Sequence, residues 1–119
     1  MDFKEEDFPL YQLLVKRGGP GAEYAIADFE RARTGGDDEK YGFALGLQTV
    51  ALSSGIEAVL PGMTREIKEK TLRSCLAVFE DVASRGHAGA VFMVQYFKRN
   101  GLGGPKKIDS IWKKKPPTF

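Results

Sequence analysis

Cysteine, histidine and tryptophan each occur once in these 119 residues, as Cys75, His87 and Trp112. A lone cysteine excludes an intramolecular disulfide and fits a reducing compartment, so a cytoplasmic protein is the expectation. With one histidine, every Cys/His or Ser/His/Asp arrangement would have to use His87. A Cys75–His87 dyad would require a helix to fold back on itself, and one His with one Cys falls short of the three or four ligands of a zinc site. No catalytic residue, metal or cofactor is therefore expected. Long apolar runs are missing too: none approaches the ~20 residues of a membrane span. The opening MDFKEEDF also lacks the apolar stretch of a secretory signal. No segment alternates apolar and polar residues with a period of two, which argues against strands.

Charge is close to balanced at +2, but its distribution is uneven. Residues 1–7 carry one Lys against four acids, and residues 98–119 carry seven Lys or Arg against Asp109 alone. The adjacent acids Glu5, Glu6 and Asp7, and Asp37, Asp38 and Glu39, read as solvated helix caps and not as acid/base pairs held across a cleft.

Glycine and proline divide the chain into helix-sized pieces. Asp7 is positioned to cap a first helix running through Arg17. Pro20 suits the first turn of a second, with the stripe Ala22, Ala25, Ile26 and Phe29. Asp37 or Asp38 caps a third, to about Ser53, which should lie centrally because it has little polar surface. Ile56 to Leu60 allow one turn. Thr64 caps the longest helix, Arg65 to Arg85. The helix Ala88 to Arg99 contains AVFMV, apolar on all sides, and should be the most buried. A last helix begins near Pro105 with the strip Ile108, Ile111 and Trp112, and Pro116-Pro117 ends it, leaving 116–119 as a flexible tail. The fold class is all-α: six or so short helices in a single domain spanning 1–119, either stacked hairpins or a compact helical bundle.

Two stretches 68 residues apart read almost alike. Gly21 to Gly36 and Gly89 to Gly104 share 6 of 16 positions: Gly21/Gly89, Ala22/Ala90, Phe29/Phe97, Arg31/Arg99, Gly35/Gly103 and Gly36/Gly104. Tyr24 and Phe92 match in kind. Each copy follows an Arg-Gly turn, Arg17-Gly18 or Arg85-Gly86. Periodicity of this type points to stacked helical hairpins, whose usual work is holding another macromolecule.

From Leu76 to Lys115 the chain resembles a Sel1-like repeat, the tetratricopeptide-related helical hairpin. The residues that carry the resemblance are Ala77, Phe79, Ala83, Gly86-His87-Ala88-Gly89-Ala90, Tyr96, Gly101, Leu102-Gly103, Asp109 and Trp112-Lys113. Where the family has Leu-Gly inside its first helix, this chain has Ile26-Ala27 and Val94-Gln95. The resemblance implies a hairpin stack that binds proteins.

The leading functional expectation is a non-catalytic protein–protein interaction module, a small adaptor or inhibitor. Its groove would be lined by Tyr24, Phe92 and Tyr96, with Arg31 and Arg99 at the rim. The alternative is a nucleic-acid-associated protein that lays Lys106, Lys107, Lys113, Lys114 and Lys115 along a phosphate backbone. A third option is a homo-oligomer subunit, suggested by the apolar third and fifth helices. The Gly101 to Lys107 stretch does not follow the phosphate-loop order, since Pro105 stands where the lysine belongs, and reads as an interhelix turn.

Overall fold

The computed structural model describes residues 3–104. The helix predicted near Pro105, the tail 116–119 and the five lysines of the basic segment lie outside the described residues. Within them the chain is helical, with no strand: a 3₁₀ turn at Glu5–Asp7, then α1 (Pro9–Arg17), α2 (Pro20–Thr34), α3 (Asp37–Ala51), α4 (Ile56–Val59), α5 (Arg65–Ala83) and α6 (Ala88–Arg99). The boundaries fall where Gly and Pro place them. Pro20 opens α2, and the Thr64 hydroxyl accepts the Ile67 N–H at 3.1 Å to cap α5.

Two caps differ from expectation. Asp7 does not cap α1; Phe8 occupies that position, Pro9 supplies the first helical residue, and Asp7 closes the 3₁₀ turn. The N–H that a cap would have satisfied goes elsewhere: Leu10 N–H donates to the buried Thr71 Oγ1 on α5 at 3.1 Å. Nor do Asp37 or Asp38 cap α3. Gly36 is the cap residue, and its N–H donates to Glu39 Oε1 at 2.6 Å.

Helix α5 lies at the centre. Its buried residues Thr71, Cys75, Val78 and Val82 form one stripe, widened by Leu72, Leu76 and Phe79. α3, α6 and α1 all pack on α5, while α2 packs on α3 and α1. The third helix is thus central, as expected, because α2 and α5 cover it on two sides. The acidic N-terminal segment contributes to the core despite its charge. Phe3 and Phe8 join Tyr11, Phe29 and Phe43 in an aromatic cluster that ties α1, α2 and α3 together. Tyr11 stacks on Phe29 with centroids 4.6 Å apart, and Phe8 meets Phe43 edge-on at 5.1 Å.

The Leu10–Thr71 bond is buried and joins positions 61 residues apart. Thr71→Val keeps the side-chain shape and orphans the Leu10 N–H. The expected loss is about 1–3 kcal/mol of unfolding free energy in a urea titration, with Thr71→Ser retaining most of it.

Candidate functional site

The α5–α6 turn and the start of α3 form one polar clamp. Arg85 at the end of α5 reaches Asp81 on its own helix at 2.7 Å and Asp37 on α3 at 2.8 Å. Hydrogen bonds from Arg85 hold both carboxyls below the usual carboxylate range, and the two acids push the guanidinium still higher. His87 caps α6, as its position suggested: Ala90 N–H donates to Nδ1 at 3.2 Å. Because Nδ1 accepts, the ring proton sits on Nε2, which donates to Asp38 Oδ1 at 2.8 Å. The imidazole lies 4.6 Å from the Tyr41 ring, and Gly89 abuts the same ring so closely that a Cβ there would come within 2.9 Å. The acids Asp37 and Asp38, read as caps, are therefore cross-links that set where α6 begins.

Both polar singletons are engaged structurally. His87 is bonded at both nitrogens, and Cys75 is fully buried, its thiol pushed up by burial. Among the described residues there is no group of three or more His, Cys, Asp or Glu that could hold a metal, and no helix long and apolar enough to cross a membrane.

From this anchored start, α6 runs along the edge of the molecule. Ala90, Met93 and Phe97 face the core. Its AVFMV segment is not the most buried part of the chain: Val91 is 40% exposed and Phe92 62%. The physical reason is that α6 packs chiefly on α5, so its far side has no neighbour among the described helices. Tyr96, 38% exposed, stacks on Phe92 with centroids 6.5 Å apart and planes at 17°. Phe97 follows at 6.3 Å from Tyr96, and Phe79 on α5 lies 5.4 Å from Phe97. A row of rings thus leads from the surface into the core, with Arg99 in the last turn of α6.

The structure brings Phe92, Tyr96 and Arg99 together on α6. Tyr24, 74% exposed, and Arg31, paired with Asp28, stand instead on α2. Since α2 packs on α1 and α3 while α6 packs on α5, the groove expected to join all five residues divides into two faces. The two copies nevertheless match in burial. Ala22 and Ala90 are buried, as are Phe29 and Phe97, whereas Tyr24 and Phe92 are exposed. Sequence reading missed Tyr41 and the pairing of Asp37 and Asp38 with the α5–α6 turn. Only the adjacency of acids to a distant Arg-Gly-His triplet could have signalled it.

No family model, curated protein or solved structure matches this chain.

Two expectations follow. Cys75 should stay unreactive toward a thiol reagent in the native chain and react as one thiol equivalent in denaturant. The clamp should also show in acid. Asp37 and Asp81 have folded values below their unfolded ones, so their contribution is complete above about pH 4 and is lost as pH falls through the folded values. The difference in Tm between the natural chain and Arg85→Gln should therefore be largest near neutral pH and shrink toward zero in acid.

Proposed function

We propose that this chain is a non-catalytic, all-helical protein-interaction module of the cytoplasm, a small adaptor or inhibitor, and that its α5–α6 hairpin is a Sel1-like repeat. The observation that carries the reading is the exposed, stacked Phe92–Tyr96 pair on the open side of α6. Large aromatics left in water on a rigid helix are characteristic of contact surfaces, where they supply much apolar area at small entropic cost. Arg99 adds a planar cation to the same ridge, and Tyr24 with Arg31 repeats the pattern on α2. Support for the repeat comes from the shared burial of equivalent positions in the two copies.

The polar groups favour recognition over chemistry. His87 is committed to a helix cap, and Cys75 is sealed. The partner is read as a protein with an apolar groove or helix face that takes the two rings.

A photo-crosslinking residue at Gln95, on the exposed side of α6 between the two rings, tests this in the native host. A protein adduct is expected, and Phe92→Ala with Tyr96→Ala should lower its yield at least about tenfold, the loss typical of contact anchors. Helical content should be unchanged, because both rings are exposed. Equal capture by the double variant would remove the assignment.

A further inference from the structure

The open side of α6 also has a candidate occupant within the chain, and this inference rests on reading that side as a docking surface. In the first copy, α2 turns at Gly35-Gly36 directly into α3, which packs back on α2 and brings Phe43 to 5.5 Å from Phe29. Moved by the repeat offset of 68 residues, α2 falls on α6 and α3 (Asp37–Ala51) falls on residues 105–119. Phe29 becomes Phe97 and Phe43 becomes Ile111. The second copy therefore has its first helix in place, with the side that its own second helix would cover standing open.

The exit of the described chain points the same way. Leu102 N–H donates to the Phe97 carbonyl at 2.8 Å, which reverses the backbone at the end of α6. Gly103, at φ +64°, lies against α5 so closely that a Cβ would stand 2.8 Å from the Leu72 carbonyl oxygen. The chain thus leaves from α5, beside the C-terminal end of α6. Residues 105–115, PKKIDSIWKKK, open on a proline suited to a first helical turn and place Ile108, Ile111 and Trp112 on one strip, with five lysines around it. As a helix they would extend about 16 Å, close to the ~18 Å of α6. Returning along α6, they bring Ile111 and Trp112 level with the Phe92–Tyr96 turn.

Facing that line from the other side is α3, which also packs on α5. Tyr41, against Gly89 of α6, and Gln48, two helical turns further on, share one face of α3. Gln48 is only 8% exposed, and its Oε1 has no hydrogen-bond partner among the described residues. A buried acceptor without a donor is costly and marks a place where a polar group is still to be supplied.

We propose that residues 105–115 fold back along α6 as an amphipathic helix that buries Ile108, Ile111 and Trp112 against Phe92 and Tyr96. A protein partner then reaches this side of α6 only by displacing the chain's own C-terminal segment.

Trp112 is the sole tryptophan, so its fluorescence reports the contact in the full chain without any partner. The expected result is a blue-shifted emission, weakly quenched by acrylamide and independent of protein concentration, from a monomer by light scattering. Phe92→Ala with Tyr96→Ala should shift the emission red and raise the quenching while far-UV circular dichroism stays helical. Ile108→Asp with Ile111→Asp, which alters only the segment itself, should do the same. A red, freely quenched Trp112 in the natural chain overturns the proposal, as does a blue shift that neither pair of substitutions moves. A blue shift that grows with concentration also overturns it, assigning the surface to a second copy. Partner capture at Gln95 is a separate readout, so failure of either proposal is visible without the other.

Discussion

Everything in this structure depends on drying the apolar stripe of α5. Thr71, Cys75, Val78, Phe79 and Val82 have no accessible surface, and no single neighbour can cover a helix over that breadth. α1, α3 and α6 each take a sector. Two of those neighbours are also fastened by polar contacts near opposite ends of α5. Near its first half, Thr71 accepts the Leu10 N–H and the Ser74 hydroxyl donates to the Asp7 carbonyl. At its end, Arg85 grips Asp37. Hydrophobic burial supplies the driving force, and these bonds set which part of each neighbour meets which part of α5.

The clamp around the α5–α6 turn explains why polar residues that could carry chemistry are engaged in architecture. His87 cannot cap α6 through Nδ1 and also carry a proton on that nitrogen, so its cap and its bond to Asp38 together select one neutral tautomer. Asp37 and Asp38 extend from the start of α3 to reach the turn. α6 is thereby anchored at its start, and it lies on α5 through Ala90, Met93 and Phe97 with its opposite side unclad. A rigid helix displaying Phe92 and Tyr96 is a surface suited to recognition, since little side-chain freedom remains to be lost on contact.

Helix existence and most boundaries were legible in the residues because they follow from short-range chemistry. Gly18-Gly19, Gly35-Gly36 and Gly86 interrupt the chain wherever a helix must stop, and Pro20 and Thr64 begin new ones. Thr64 and His87 could be assigned as caps because a cap bonds an N–H only three residues away. The likeness of Gly21–Gly36 to Gly89–Gly104 also carried structural content, in that Phe29 and Phe97 are both buried and Tyr24 and Phe92 both exposed.

What the residues alone determined, then, is an all-helical chain with its turns in place and its single thiol on an inward face. Local hydrogen bonding and helical periodicity suffice for that. Tertiary structure alone decided which apolar faces stay wet and which charges reach across the fold. AVFMV is exposed because α6 lies at an edge, and Phe3 is buried because the aromatic cluster closes over the acidic N-terminal segment. Asp37 and Asp38 are cross-links because the α5–α6 turn comes to rest beside them, 48 and 49 residues along the chain. Such outcomes depend on contacts between residues far apart in sequence, and no window of neighbouring positions contains both partners.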